Sequence, residues 1–175
     1  MLPQPTLTPT PTPTVTATAT PTPTPTPIGV HDAAALKISV PNEGGATTPI
    51  EARVQNKGDH TETLGVYADA IPPGGPSNPY GCAPSGRIIE TTMTLEPGKK
   101  TTVSSADFAF TCADAAGARG QRFTIVALVD AHADDLAACG PGQLQSMACF
   151  NALANDDSGP SNNRISRTCC RVGEN

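Results

Sequence analysis

The chain has very few aromatic residues, with no tryptophan, two tyrosines and four phenylalanines among 175 residues. Aliphatic residues, alanine and cysteine must therefore fill any hydrophobic core. The scarcity also bears on sugar recognition, because the faces of sugar rings stack on aromatic side chains and only Tyr67 and Tyr80 join the phenylalanines here. A surface built from aromatic platforms is disfavoured.

A net basic charge and long apolar runs are also missing. The net charge is −5 and the isoelectric point is near 5.0, whereas a nucleic-acid-binding protein needs a net basic face. No run of 18 apolar residues occurs, so we expect no membrane span. The opening residues, Met-Leu-Pro-Gln-Pro, lack the basic and apolar regions of a signal peptide. We expect either a signal removed before residue 1 or an export route that this sequence does not reveal.

No set of residues is typical of a catalytic site. The three histidines, His31, His60 and His132, are scattered beside turn residues, and none accompanies a recognisable serine or cysteine nucleophile motif. No Cys-x-x-Cys pair occurs, which disfavours a zinc site. We therefore expect exposed loop histidines, no enzyme activity, no catalytic residues and no cofactor apart from covalent glycans.

Six cysteines are present: Cys82, Cys112, Cys139, Cys149, Cys169 and Cys170. An even count in a chain rich in proline and threonine indicates three disulfides formed in an oxidising compartment. The short separation predicts a Cys139–Cys149 bond. Adjacent residues of a strand point to opposite faces, so Cys169 and Cys170 are expected to bond Cys82 and Cys112, in an order left open.

Residues 1–29 form an arm of alternating threonine and proline. Such a composition buries too little apolar surface to fold alone and favours an extended polyproline II linker, which over residues 6–27 would reach about 70 Å. Threonines flanked by proline are typical acceptors of O-linked glycans, and the chain has no Asn-x-Ser/Thr sequon. The candidate glycosylation sites are Thr6, Thr8, Thr10, Thr12, Thr22, Thr24 and Thr26.

The prolines stop between Pro13 and Pro21. Backbone N–H donors return there to both edges of the segment, and threonine and valine favour strands. The segment consists of Thr14, Val15, Thr16, Ala17, Thr18, Ala19 and Thr20, with its small apolar side chains all on one face. It is suited to completing the open sheet of a neighbouring subunit. A glycosylated linker and docking on the same domain are the alternatives.

The sequence of residues 30–175 predicts one all-β domain. Short alternating segments separated by glycine, proline and asparagine predict about seven strands, at 34–40, 50–54, 64–68, 89–95, 101–110, 122–129 and 164–172. Strands at this spacing indicate a β-sandwich. Two longer insertions, at 72–86 and 130–161, interrupt this regular spacing of strands. The moderately apolar stretch 136–153 could contain a short helix or a subunit contact.

Several turns resemble those of a known family. Val54-Gln-Asn56-Lys-Gly58 resembles the Val-x-Asn-x-Gly turn of CARDB-type and related immunoglobulin-like domains of prokaryotic surface proteins. Asp32, Leu95-Glu-Pro-Gly98, the strand from Phe123 and the Asn162-Asn163 pair follow in the same order. The resemblance covers residues 30–173 and implies an extracellular, adhesion-like immunoglobulin-like sandwich without a defined activity. The cysteines and both insertions depart from that pattern.

Two further clusters have ordinary explanations. Asp156 and Asp157, together with nearby asparagines, offer hard oxygen ligands and are weak Ca²⁺ candidates, but they lack the alternation of an EF-hand loop, and turn formation explains them as well. Arg164, Arg167 and Arg171 on the last strand are expected to be mainly a solvated face.

These features together predict a structural subunit of an extracellular filament, fibril or surface layer. Copies of the chain would polymerise through the arm, with glycans along its outside. The alternative is a monomeric adhesion or carbohydrate-binding module on a glycosylated Pro-Thr stalk.

Overall fold

A computed structural model of the chain describes residues 29–41, 47–131, 139–153 and 157–172. In these ranges antiparallel strands form three open sheets and there is one short α-helix, so the fold is an all-β sandwich, as the sequence predicts. The elements are β1 Ala33–Ser39, β2 Thr48–Asn56, β3 Glu62–Ile71, β4 Cys82–Ala83, β5 Gly86–Leu95, β6 Lys100–Phe108, β7 Thr111–Cys112, β8 Arg122–Asp130, α1 Met147–Leu153 and β9 Arg164–Arg171. No helix in these ranges is long and apolar enough to cross a membrane.

Two sheets make the sandwich. One has three strands in the order β1-β2-β6, and the other has four in the order β5-β3-β8-β9. Their inner faces carry the alternating apolar residues that the sequence analysis identified, among them Ile50, Leu64 and Ile125. The rings of Phe110 and Phe123 pack in a T-shaped arrangement with centroids 5.0 Å apart. Phe110 and Phe123 are the aromatic residues that are fully buried in this core, and aliphatic residues and cysteines make up the rest of its buried side chains.

The small third sheet explains the first disulfide. Cys82 of β4 lies directly opposite Cys112 of β7 in the ladder, and the two are bonded. The predicted bonds from these cysteines to Cys169 and Cys170 are therefore wrong. The prediction failed because the two-residue strands β4 and β7 are too short to leave an alternating pattern in the sequence.

Cys169 and Cys170 bond each other. The pairing of β8 with β9 has a bulge, since Phe123 faces Cys169 while Arg122 faces Arg171, and Cys170 is the extra residue. Cys170 also has a positive φ of 52°. The expectation that adjacent side chains point to opposite faces holds only for a regular strand, and it does not apply at this bulge.

The Cys139–Cys149 bond is present, as predicted. It joins two parts of residues 139–153, a segment that lies on the outer face of the four-stranded sheet. Tyr67, Ile71, Val126 and Leu128 project from that face and form a second apolar cluster with Leu144 and both cysteines. The insertion therefore adds a partial third layer. This layer explains why nearly every residue of β3 and β8 is buried, although a strand with one face in solvent would alternate between buried and exposed residues.

Candidate functional site

One long side of the sandwich is poorly covered. The core-facing residues of β6, Thr101 and Val103, stand opposite Val54 and Ala52 of β2, yet they are only partly buried. On β5, at the adjacent edge of the other sheet, Met93 is likewise only partly buried. We call this surface the open side and define it as the inward residues of β5 and β6. Because β6 is an edge strand, one row of its backbone groups has no ladder partner in the described part of the chain.

The opposite edge of the same sheet is better covered. β1 packs against β8 and β9 of the other sheet, and its residues Ala33, Ala34 and Ile38 are buried. Arg167 of β9 donates a hydrogen bond across the gap to the carbonyl of Ile38 at 2.9 Å. The two edges of the three-stranded sheet are therefore unlike, and the open one is at β6.

The arm residues identified in the sequence lie outside the described residues. This applies to the predicted contact strand 14–20 and to all the threonines named as glycosylation candidates. The chain is described from Gly29 onward. We call residues 29–32, which precede β1, the base of the arm; they lie beside the turn between β2 and β3.

The base of the arm contains a cluster of ionisable side chains. Glu62, at the start of β3, is 5% exposed, and its Oε1 lies 2.7 Å from His31 Nδ1 and 2.7 Å from His60 Nε2. The two imidazole rings meet edge to face with centroids 4.6 Å apart. Two histidines that are 29 positions apart in sequence thus converge on one buried carboxylate oxygen.

Asp59 extends this cluster. Its Oδ1 lies 2.8 Å from His60 Nδ1 and accepts a hydrogen bond from the backbone amide of Val30. The hydrogen bond with Asp59 raises the pKa of His60 above its ordinary value. The same bond, followed by that from Val30, lowers the pKa of Asp59. The pair therefore favours a charged imidazolium beside a carboxylate.

The turn that carries the family resemblance positions the cluster. Asn56 is fully buried, and its side-chain amide donates to the carbonyls of His60 and Leu95, both at 2.8 Å. Its Oδ1 accepts the N–H of Gly58. A Cβ at Gly58 would collide with the Val30 carbonyl, so only glycine lets the arm base lie this close to the turn. Asn56 and Gly58 thereby fix where Asp59, His60 and Glu62 stand.

The sequence pattern did not predict this cluster. Exposed loop histidines were expected, but His31 and His60 are partly buried and both contact Glu62, so the expectation was wrong for these two. The available signal was the spacing of His60 and Glu62, since residues two apart in a strand share a face. No sequence pattern could have added His31, because its position depends on how the arm base crosses the turn. His132 lies outside the described residues.

Asp157 has a structural role in the described loop. Its Oδ2 accepts hydrogen bonds from the Ala33 amide at 2.7 Å and from Asn163 Nδ2 at 2.9 Å, and its Oδ1 accepts the Gly159 amide at 2.6 Å. Both carboxylate oxygens thus hold the loop before β9 against the start of β1. Asp156, the other Ca²⁺ candidate, lies outside the described residues.

The remaining sequence candidates occupy structural positions. Tyr67 is buried under the stapled insertion and contacts Arg87, while the partly buried Tyr80 hydroxyl accepts a hydrogen bond from Gln121. Arg164 lies over the ring of Phe150 and donates to the Gln145 carbonyl. Tyr67 is therefore not available as an exposed platform for sugar stacking, and Arg164 contacts the insertion as well as solvent.

Comparison with known proteins adds little. No protein-family model and no curated protein match the chain. Among solved structures, the DesR β-glucosidase of Streptomyces venezuelae is 14% identical, with 59% of this chain and 13% of that one covered at a TM-score of 0.29. The GH3 β-glucosidase of Bifidobacterium adolescentis is 16% identical, with 75% and 21% covered at a TM-score of 0.32. The chain thus spans about a fifth or less of these enzymes, and we draw no conclusion from such scores.

Proposed function

We propose that this chain is a structural subunit of an extracellular assembly whose copies are joined by the Thr-Pro arm. The observation that supports the proposal is the open side. Core-facing residues Thr101 and Val103 are incompletely buried, beside the edge strand β6 of a three-stranded sheet. One additional strand along β6 would make that sheet four-stranded, like its partner, and would cover those residues.

The segment 14–20 has the properties of such a strand. Seven residues of extended chain span about 23 Å, and the nine residues of β6 span about 30 Å. Val15, Ala17 and Ala19 share one face and are small enough to lie over the open side without displacing Met93 or Val103. The absence of proline between Pro13 and Pro21 leaves backbone N–H donors on both edges of the segment, so either edge could pair with β6.

The topology favours donation to a neighbour. The arm joins the domain at β1, and β1 and β6 are opposite edges of their sheet. To reach its own β6, an arm would have to cross the end of the sandwich and turn back, whereas a Thr-Pro repeat favours a stiff extended course away from the domain. A head-to-tail contact of this kind generates an open polymer unless rotation closes it into a ring.

An extracellular setting is consistent with the covalent chemistry. All six cysteines are paired in disulfides, as is usual for proteins of oxidising compartments. The threonines that flank the donor segment would lie along the outside of the assembly and carry O-linked glycans. An intact mass above 17.8 kDa, in steps of one hexose that map to residues 1–28, would support glycosylation.

The test uses the two faces of the donor segment. Ala17→Asp places a charge on the face that would cover the core, and Thr16→Asp, its matched control, places the same charge on the outer face. We expect the unaltered chain and Thr16→Asp to form polymers in negative-stain micrographs and in light scattering after size exclusion. We expect Ala17→Asp to remain a monomer with an unchanged circular dichroism spectrum.

Other outcomes would decide against the proposal. Equal polymerisation by both variants would show that the segment does not pack by one face. A monomeric unaltered chain whose stability falls only in Ala17→Asp would indicate docking on the same domain. A monomer that is indifferent to both changes would favour the alternative, an adhesion or carbohydrate-binding module on a glycosylated stalk.

A further inference from the structure

We propose that His31, His60 and Glu62 form a Zn²⁺-binding site at the base of the arm. In the part of the chain that the structure describes, these three form the one group of histidine, cysteine and acidic side chains with ligand atoms gathered closely enough to hold a metal ion. Two imidazole nitrogens and one carboxylate oxygen are a donor set that Zn²⁺ accepts in proteins. The proposal does not depend on whether the arm joins neighbouring subunits.

The hydrogen-bond geometry locates the ion. Both ring nitrogens point at the same oxygen, Glu62 Oε1, at 2.7 Å each. A cation between the three atoms would replace the two N–H hydrogens that now face this oxygen. Tetrahedral zinc bonds of about 2.0–2.2 Å place neighbouring ligand atoms about 3.4 Å apart. The ligand atoms here lie within 4.8 Å of one another, so modest rotations of the two imidazole rings would complete the site.

The surroundings of His60 match those of metal-binding histidines. Such a histidine usually donates its other ring N–H to a carboxylate, a backbone carbonyl or a water, which fixes the tautomer and orients the ring. Asp59 holds this position at 2.8 Å from His60 Nδ1 and leaves Nε2 directed at Glu62. Gly29 leaves room for the His60 ring because it has no side chain, and a Cβ at this position would collide with the ring. A carboxylate and a glycine thus hold the imidazole in a ligating orientation.

The exposure of the ligands suits an ion exchanged with solvent. The Glu62 side chain is only 5% exposed, while those of His31 and His60 are 25% and 38% exposed. The carboxylate therefore supplies a negative charge in a region of reduced dielectric, and the histidines form the path to solvent. Three protein ligands leave one tetrahedral position for water or for a group from another molecule. Bound zinc would also connect the arm base at His31 to the start of β3.

The first test treats the chain of residues 1–175 with a chelator to remove metal and then titrates it with Zn²⁺ alone. Calorimetry measures the binding, and the melting temperature is measured with and without Zn²⁺. We expect one ion per chain and a rise in melting temperature on binding. His60→Ala, which removes a partly exposed ligand, should weaken binding more than 100-fold. Asp59→Ala should weaken it by about 10–100-fold, as loss of an orienting partner does. His132→Ala is the control and should bind like the unaltered chain.

A second measurement does not depend on any variant folding. Nuclear magnetic resonance of the histidine rings in the unaltered protein should show Zn²⁺-dependent shifts at His31 and His60 and none at His132. The proposal fails if the unaltered chain binds no Zn²⁺ saturably. It also fails if His60→Ala retains full affinity, or if the shifts fall on His132 instead.

Discussion

Asp69 and Arg87 form a buried ion pair that fastens the disulfide-stapled insertion to the outer face of the four-stranded sheet. Asp69 Oδ1 accepts from Arg87 Nε at 2.6 Å, and Asp69 Oδ2 accepts the backbone amide of Leu144 at 3.0 Å. Arg87 also donates to the Cys139 carbonyl at 3.3 Å. The strands β3 and β5 thus hold the first cysteine and the middle of the disulfide-closed loop through one pair of charges.

Removing one partner of this pair should be costly. Asp69 is fully buried, so Asp69→Ala leaves the Arg87 guanidinium without its main counter-charge and should lower the free energy of unfolding by about 3–5 kcal/mol. Glu90→Ala is the matched control, because Glu90 bonds the same arginine at 3.3 Å but is 57% exposed. It should cost less than about 1 kcal/mol. Urea denaturation measures both, and equal losses would contradict the assignment.

Gly58 should not tolerate a methyl group. Gly58→Ala would push a Cβ into the Val30 carbonyl and should destabilise the domain by about 1–3 kcal/mol, as overpacking does. In Gly140→Ala the new Cβ meets only the flexible Gln143 side chain at 3.5 Å, and we expect a change within about 0.5 kcal/mol. Thermal denaturation of the two variants gives the comparison. A tolerated Gly58→Ala would mean that the arm base can move away from the turn.

The Asp59–His60 pair should make stability depend on pH. The lowered pKa of Asp59 contributes stability above the ordinary value of 3.8, which is lost as the pH falls through the folded-state pKa. The raised pKa of His60 contributes stability below 6.5, which is lost as the pH rises through its folded-state pKa. Both contributions to stability are therefore fully present between pH 3.8 and pH 6.5.

Melting curves in the presence of a chelator test this dependence. The difference in melting temperature between the unaltered chain and His60→Ala should be largest between pH 4 and 6 and should shrink towards pH 9, beyond the folded-state pKa of His60. The effect should be modest because solvent screens the pair, in which the Asp59 side chain is 60% exposed and the His60 side chain 38% exposed. A constant difference across this range would show that His60 acts through packing alone.

The three disulfides should contribute unequally. Cross-link stabilisation through the unfolded state grows with loop length, and the sequence separations are 30 for Cys82–Cys112, 10 for Cys139–Cys149 and 1 for Cys169–Cys170. Replacing the first pair by alanines should cost about 1 kcal/mol more than replacing the second, by the entropic term alone. Replacing the third should change that term least. Denaturant midpoints would give the order, and a reversed order would point to native-state packing as the main effect.

The strand prediction succeeded where local pattern and tertiary environment agree. The segments at 34–40 and 122–129 correspond to β1 and β8 to within one residue, because each has one face on the core and turn residues at its ends. The prediction failed at β4 and β7, which hold together through cross-strand pairing and a disulfide. It also missed the role of the 139–153 segment, because alternation does not reveal what covers a second face.

The sequence by itself determined the all-β class, the seven long strands of the described residues and the Cys139–Cys149 disulfide. These follow from local composition and period, which a linear pattern records. Only the tertiary structure decided which distant side chains meet, namely His31 with Glu62, Asp69 with Arg87 and Cys82 with Cys112. Contacts between residues far apart in sequence depend on strand order and register, and the packing of the whole chain sets both.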